Sequence, residues 1–177
     1  LDELTASGEI TIVGAGKAGA RDPWIMLLPA DYAEQLMPQV DEPQLSLTQT
    51  QVMERIRGGG GYLFADLLGP VTERTTTAEE LREAMWGLVE LGRVSPDTFE
   101  PVRARLNGSA RAGSTAHKAK RRPRRSRLRM GRTGFAQANR PTTPPDMQGR
   151  WSLTPPAETD PTNRSVAHGE AWLDRYG

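Results

Sequence analysis

The sequence predicts an α+β chain of tandem winged-helix modules, one complete and two partial, with a disordered basic insertion in the wing. Three observations lead to this prediction. Apolar residues recur at helical spacing in three short segments within residues 49–91. Two β-type segments follow at 93–96 and 149–153. Residues 107–147, which lie between those segments, are rich in arginine and have almost no apolar side chains. Three short helices followed by a two-stranded hairpin are the winged-helix arrangement, a helix-turn-helix with a β wing.

The first 28 residues are interpreted as the end of a preceding winged helix. The residues before Gly8 are typical of the last turn of a helix, with Gly8 just beyond its end. Residues 9–13 alternate between polar and apolar side chains, and residues 24–28 form an apolar run suited to a buried strand. Residues 14–23 contain three glycines and a proline, which predicts a long loop between the two strands.

The sequence GAGKAG at residues 14–19 matches the G-x-G-x-x-G pattern of dinucleotide-binding turns. That turn requires a helix directly after the third glycine, because the pyrophosphate binds at the helix N-terminus. Here Pro23 and a second strand follow, and Lys17 precedes Ala18 where a P-loop has serine or threonine. The glycines therefore indicate a flexible wing tip, on which Lys17 and Arg21 are candidates for phosphate contact.

The complete module has helices predicted at residues 49–57, 61–68 and 77–91. The third helix opens with the capping box T-A-E-E and ends at Gly92. The predicted organisation follows the chain: 1–28 wing hairpin of a preceding winged helix, 29–48 linker, 49–106 plus 147–154 winged-helix domain, 107–146 basic disordered insertion, and 160–177 first helix of a following module.

The third helix is acidic, which argues against base reading in the major groove. A recognition helix presents basic and amide side chains to DNA, whereas phosphate would repel the exposed face of this helix. We therefore expect residues 77–91 to be scaffold or an interdomain contact, with Trp86 in packing. The charged residues behind this expectation are Glu79, Glu80, Glu83 and Glu90 against the single Arg82.

The net charge of +1 conceals a strong asymmetry along the chain. Residues 1–100 contain 7 basic and 17 acidic side chains, whereas residues 101–145 contain 13 basic and no acidic ones. The basic strap, His117–Arg132, is a polycation that can neutralise phosphates without reading sequence. The alternative is a solvated arginine-rich loop without a dedicated partner. With Lys17 and Arg21, the candidate nucleic-acid-binding residues are Lys118, Lys120, Arg121, Arg122, Arg124, Arg125, Arg127, Arg129 and Arg132.

The composition excludes several kinds of site. The chain has no cysteine and only two histidines, so disulfides, cysteine-ligated zinc and a histidine-rich metal site are not expected. No catalytic residue is assigned, because no paired carboxylates or Ser-His-Asp set emerges. Asp66 and Asp97 are expected to be helix-surface or turn residues. The sequence lacks a signal peptide and an apolar run that could span a membrane. We interpret it as an internal piece of a longer protein.

Three phrases together resemble the C-terminal region of the large helicase-related (Lhr) proteins of actinobacteria. They are GGGGYLFADLL, TAEELREAMWGLVELGRVSPDTFEPVRARL, and GRWSLTPP with DPTNRSVAHGEAWLDRYG. The resemblance implies a parent protein with a superfamily 2 motor that uses ATP to move 3′-to-5′ on single-stranded DNA and is linked to DNA repair. It also implies a C-terminal extension of tandem winged helices and a β-barrel module, similar to a family of bacterial DNA glycosylases.

The resemblance places ATP and magnesium in the parent motor domains. No cofactor or ATPase residue is assigned here, because the sequence has neither a G-x-x-x-x-G-K-[ST] loop nor an Asp-Glu-x-His box. The partners expected are single-stranded DNA or a DNA/RNA hybrid, neighbouring domains of the same protein, and a second copy through the parent C-terminal region. No membrane partner is expected, and the expected location is cytoplasmic, at the nucleoid.

Three functions stay open at this point. The first is an accessory module of the helicase that binds nucleic acid through the wing and the basic strap. The second is a protein-interaction or oligomerisation module without direct DNA contact. The third is a contribution to a DNA glycosylase-like site shared with neighbouring modules.

Overall fold

A computed structural model describes residues 1–19, 22–39, 43–72, 76–110 and 143–177. The predicted α+β class is confirmed. In chain order the elements are α1 (Asp2–Ala6), β1 (Ile10–Gly19), β2 (Asp22–Pro29), a 3-10 turn (Ala30–Tyr32), α2 (Ala33–Leu36), α3 (Leu47–Ile56), β3 (Tyr62–Leu63), α4 (Phe64–Thr72), α5 (Ala78–Glu90), β4 (Val94–Pro96), α6 (Glu100–Ala110), a second 3-10 turn (Pro145–Met147), β5 (Arg150–Leu153) and α7 (Pro161–Tyr176).

The described strands form two small antiparallel sheets. β1 pairs with β2, and β5 lies between β3 and β4 in a three-stranded sheet. Val94 lies opposite Leu153, as expected for the pair of wing strands, and Tyr62 lies opposite Trp151 on the other edge of β5. The helix predicted from residue 61 therefore begins later, because residues 62–63 are bound into the sheet.

The main apolar core surrounds α5. From Ala84 onward no residue of this helix is exposed, so the helix is covered on nearly all sides. Trp86 and Trp151 are fully buried and meet edge to face, with ring centroids 6.2 Å apart. The other buried members of this core are Ile12, Val52, Ile56, Phe64, Leu67, Leu81, Met85, Leu88, Val89, Val94, Val102 and Met147.

The β1–β2 hairpin lies between this core and a second, smaller apolar cluster. Successive side chains of a strand point to opposite faces. Accordingly Ile12 packs in the main core, while its neighbour Val13 packs in the second cluster. Ile25 and Met26 divide in the same way on β2. The second cluster also contains Leu28 of β2, Ala33 and Leu36 of α2, Met37 just after α2, and Ala167 of α7.

The hairpin differs from the sequence expectation. A long loop was predicted at residues 14–23, but β1 runs to Gly19 and β2 begins at Asp22, with register shifts between Gly14 and Lys17 and between Lys17 and Gly19. The shifts let a glycine-rich segment remain paired, because the extra residues bulge out of the ladder. The apolar run 24–28 is not uniformly buried, since Trp24 is 62% exposed.

Other predicted boundaries also move. The predicted linker 29–48 contains a 3-10 turn and α2, and it ends within α3. Described elements enter the predicted insertion 107–146 from both ends, because α6 continues to Ala110 and the second 3-10 turn covers Pro145–Met147. Asp146 and Met147 in this turn are buried, and Met147 belongs to the main core.

Side-chain caps define the starts of three helices. Thr77 and Glu80 form the predicted capping box of α5, and Ser46 and Gln49 form a second one at α3. Asp160 accepts a hydrogen bond from the N–H of Thr162 at 2.7 Å and caps α7. Each such cap contributes about 1 kcal/mol to stability.

Candidate nucleic-acid interface

A buried network at Asp146 joins the two described ends of the predicted insertion. Asp146 is 3% exposed, and its carboxylate accepts hydrogen bonds from Arg82 Nε at 2.8 and 2.9 Å and from Trp86 Nε1 at 3.1 Å. Hydrogen bonds to Asp146 raise the pKa of Arg82 above its ordinary value. The returning chain at Asp146 is thereby tied to α5.

Arg105 ties α6 to the same place. Its side chain is 2% exposed and forms two hydrogen bonds with the Glu83 carboxylate, at 2.7 and 2.9 Å. Arg105 Nη1 lies 3.8 Å from Asp146 Oδ2, and the guanidinium carbon lies 5.1 Å from the centroid of the Trp86 ring. We call these five residues, Arg82, Glu83, Trp86, Arg105 and Asp146, the Asp146 anchor.

The anchor has a consequence for the chain between Ala110 and Thr143. α6 leads into that stretch and the second 3-10 turn leads out of it, and both pack together at the anchor. The two described segments that flank this stretch therefore lie side by side at the Asp146 anchor. The predicted candidates that lie in it, outside the described residues, are Lys118, Lys120, Arg121, Arg122, Arg124, Arg125, Arg127, Arg129 and Arg132.

The two remaining candidates are Lys17, which lies on β1, and Arg21. Lys17 has a side chain that is 60% exposed, and its Nζ lies 3.7 Å from Glu90 Oε2 on α5. This pair is weak, because an exposed ion pair in water contributes between 0 and about 1 kcal/mol, and Lys17 remains accessible. Arg21 lies outside the described residues. Phosphate contact by these two side chains therefore stays a prediction.

The acidic side chains of α5 have partners within the chain. Glu79 binds Arg82, Glu80 caps the helix, Glu83 binds Arg105, and Glu90 lies beside Lys17. Trp86 is fully buried, so its expected packing role is confirmed. Because α5 is covered from Ala84 onward and its glutamates bind side chains or backbone of the same chain, the helix serves as a scaffold in the core.

The glycines of residues 14–19 serve the fold. A Cβ at Gly14 would overlap the carbonyl oxygen of Val89, so this glycine allows β1 to contact α5. Gly16 has φ of +103°, in the region that favours glycine. A strand follows Gly19 where a dinucleotide-binding turn needs a helix, which confirms that this is not such a turn. Gly14 lies against α5 and not at a flexible tip, contrary to the expectation.

Asp66 and Asp97 both accept backbone hydrogen bonds, as expected for turn residues. Asp66 Oδ2 lies 3.3 Å from the N of Leu63, and Asp97 Oδ1 lies 2.8 Å from the N of Arg150. Within the described ranges no cluster of three metal-ligating side chains occurs. In the same ranges no helix has the length and apolar content needed to cross a membrane.

A cleft of about 640 Å³ separates the two apolar clusters. Its walls include Met53 and Leu153 on one side and Met37 and Ala157 on the other. Glu158 also lines the cleft. Hydrogen bonds from the N–H of Asp160, the Asn163 side chain and the N–H of Thr159 lower the pKa of its carboxyl.

Sequence reasoning missed the Asp146 anchor. Asp146 is the last residue of the predicted insertion 107–146, whereas Met147 and Arg105 fall in the predicted winged-helix domain without an assigned role. One signal for the anchor is present in the sequence: Asp146 is the first acidic residue after residues 101–145, which contain none. Its partner Arg82 is 64 residues away in the chain, which local patterns do not reveal.

Comparison with known proteins gives two relatives, while no family model matches the chain. The protein named "Lhr helicase/ probable uracil glycosylase" from Mycolicibacterium smegmatis is 39% identical over 177 residues, which cover the whole chain and 11% of that protein. "Lhr helicase/uracil glycosylase" from Escherichia coli is 31% identical over 185 residues, again covering the whole chain and 12% of the relative. The chain thus spans about a ninth of the length of these relatives and matches a C-terminal region.

Proposed function

Because the chain belongs to the Lhr helicase family, as a segment of its C-terminal region, we propose that it is an accessory nucleic-acid-binding and scaffolding part of an ATP-dependent 3′-to-5′ DNA helicase. The parent protein acts in DNA repair in this proposal, with ATP and magnesium in its motor domains. Single-stranded DNA or a DNA/RNA hybrid is the partner of this segment.

The observation that carries the proposal is the Asp146 anchor at the base of the predicted insertion. The anchor holds the two described segments that flank a strongly basic stretch, α6 and the second 3-10 turn, against α5. The arginines of such a stretch can neutralise successive phosphates and release counterions. Such an arrangement adds affinity without sequence preference, which suits a protein that moves along DNA.

The winged-helix interpretation is part of this proposal. α3, α4 and α5 precede the paired strands β4 and β5, and the basic stretch lies between those strands in the chain. β3 extends the same sheet on the other edge of β5. In this interpretation α5 is a core scaffold and contact with DNA occurs through the wing.

Salt-dependent DNA binding tests the proposal. The 177-residue chain is titrated into a fluorescein-labelled single-stranded oligonucleotide, and anisotropy is measured at several salt concentrations. Binding should weaken steeply with salt, with a slope of about 0.7 per phosphate contact on a logarithmic plot. Deleting residues 111–132 should abolish binding. A matched variant replaces the same residues by glycine and serine, so that chain length is kept. Unchanged binding by both variants would refute the proposal.

An interaction or oligomerisation module is the alternative, and α7 provides the observation that favours it. The helix buries Ala167 against the second cluster. Its other side exposes Val166, Trp172, Leu173 and Tyr176, which are 56–72% exposed. Contiguous apolar surface of this kind is typical of contacts between proteins or domains. Light scattering of the chain and of Leu173→Ser, which removes an exposed side chain, tests self-association through this face.

A further inference from the structure

Three arginines surround the exposed loop between α3 and β3. Arg55 and Arg57 lie at the end of α3, and the four glycines 58–61 follow. Arg150 reaches the same loop from β5, where its Nη1 donates to the carbonyl oxygen of Gly61 at 3.3 Å. The Arg55 guanidinium carbon lies 5.6 Å from the centroid of the Tyr62 ring. We call Arg55, Arg57 and Arg150, with the glycines between them, the arginine corner.

The guanidinium groups of the corner have no carboxylate partner within the part of the chain that the structure describes. Among the described residues none of the three forms an ion pair with a carboxylate, and Arg57 is exposed at the helix end. In contrast, Arg82 and Arg105 are bound to carboxylates. Three positive charges thus flank one loop, and a bound polyanion would be attracted to them.

The carboxylates near the corner have other roles or lie on the helix. Asp66 accepts from the N–H of Leu63, and Asp97 accepts from the N–H of Arg150. Glu54 precedes Arg55 on α3 and is exposed. None of these three carboxylates lies within ion-pair distance of a corner arginine in the described structure. Apart from the Arg150 Nη1 group that donates to Gly61, the guanidinium N–H groups can therefore donate to a ligand.

The glycines leave the backbone of the corner uncovered. Gly59 and Gly60 have φ of 80° and 87°, which side chains other than glycine rarely adopt. All four glycines are exposed, and no side chain lies between Arg57 and Tyr62. A bulky ligand backbone can therefore approach closely between the arginines. Guanidinium groups match phosphate oxygens with two parallel hydrogen bonds, so a chain of phosphates fits this surface.

We propose that the arginine corner is a second nucleic-acid site, which binds the phosphodiester backbone of single-stranded DNA. This inference rests on the proposed function. Arg150 follows the returning end of the basic stretch after the short described segment 143–149. DNA held by the basic stretch can thus continue onto a structured surface, and the corner fixes the position of the strand relative to the fold.

The test measures binding of the 177-residue chain to a labelled dT oligonucleotide by anisotropy between about 0.05 and 0.3 M salt, a range wide enough to define the slope. R57Q should weaken binding about fivefold at about 0.1 M salt, because one lost phosphate contact lowers the slope by about 0.7. R55Q/R57Q/R150Q should lower the slope by about 2. The corresponding lysine variants should retain most of the slope, since lysine also neutralises phosphate.

The matched control is R175Q. Arg175 is exposed, and its guanidinium carbon lies 5.4 Å from the centroid of the Tyr176 ring, an arrangement similar to that of Arg55 on Tyr62. Because Arg175 lies on α7 and outside the corner, R175Q should bind like the unmodified chain.

The outcomes separate this inference from the proposed function. If the triple variant keeps the full slope while deletion of residues 111–132 removes binding, the corner inference is wrong and the proposed function stands. If the unmodified chain does not bind, both are wrong. Equal displacement of DNA by polyglutamate of matched charge would also refute a nucleic-acid site.

Discussion

The Asp146 anchor and the arginine corner use the same side chain in opposite surroundings. In the anchor, Arg105 is 2% exposed at its side chain and its guanidinium meets carboxylates. In the corner, Arg57 is exposed and no carboxylate lies within ion-pair distance among the described residues. The comparison teaches that arginine content alone does not locate a nucleic-acid surface. Arginines whose charge is already paired with a carboxylate of the same chain, such as Arg82 and Arg105, are not available to bind phosphate.

The two regions therefore contribute to different properties. A buried charge that loses its partner is strongly destabilising, because it has no water to replace the carboxylate. An exposed arginine without a partner contributes little to folding, since water solvates it in both states. Substitutions in the anchor should change stability, and substitutions in the corner should change binding.

The largest expected effect is that of D146A. This substitution leaves Arg82 without its buried carboxylate and removes the acceptor for Trp86 Nε1. Loss of one partner of a buried pair costs about 3–5 kcal/mol. Because the Arg82 side chain is 22% exposed and keeps Glu79 as a partner, urea denaturation should show a free energy of unfolding lower by about 3 kcal/mol, the lower end of that range. R57Q is the contrasting variant and should stay within about 0.5 kcal/mol of the unmodified chain. Similar losses in both variants would remove the distinction between the two regions.

The next largest effect is expected where the β1–β2 hairpin contacts α5 at Gly14. In G14A the new methyl group would overlap the carbonyl oxygen of Val89. Strand and helix must then move apart, at a cost of about 1–3 kcal/mol by analogy with overpacked cores. Thermal unfolding followed by circular dichroism measures the loss.

G169A is the control for the hairpin experiment. A Cβ at Gly169 meets no atom within 4 Å, and the residue lies within α7. Alanine is favoured over glycine in a helix by about 1 kcal/mol, so this variant should be slightly more stable than the unmodified chain. Equal behaviour of G14A and G169A would show that the hairpin does not rest on α5 as described.

A smaller effect is expected at the start of α5, the helix that carries three of the five anchor residues. The Thr77 hydroxyl accepts a hydrogen bond from the N–H of Glu80 at 3.2 Å. T77A should lower the free energy of unfolding by about 1 kcal/mol, while T77S should keep the cap. A loss as large as that of D146A would mean that the first turn of α5, and not the buried pair, determines the stability of the anchor.

The sequence could predict what depends on neighbouring residues and not what depends on distant ones. The α+β class, the spacing of the three helices and the capping box at Thr77 follow from local patterns. Trp24 stands in an apolar run, but its burial depends on which element covers the strand, and it is 62% exposed. Gly14 is needed because of its contact with Val89, and Asp146 is buried because it binds Arg82; both partners are distant in the sequence. The candidate arginines of the strap were evident from composition, whereas the corner required Arg150 to be placed beside Gly61.

The smallest effect concerns the charge of Glu80 and is visible only as a function of pH. The backbone N–H of Thr77 donates to the Glu80 carboxylate at 2.7 Å, and together with the Thr77 hydroxyl it lowers the pKa of this carboxyl from its usual 4.5. A carboxyl with a lowered pKa in the folded state stabilises the protein at pH values above its unfolded pKa. This contribution is lost as the pH falls through the folded pKa, because the proton then binds equally in both states.

E80Q isolates that charge, because glutamine can still form the capping box but carries no charge at the helix N-terminus. The unmodified chain should therefore be slightly more stable than E80Q at neutral pH, and the difference should disappear as the pH falls below 4.5. Urea denaturation of both proteins from about pH 7 to about pH 3 measures this difference across the window in which the carboxyl titrates. A difference that is constant over this range would show that the hydrogen bonds, and not the charge, distinguish the two side chains.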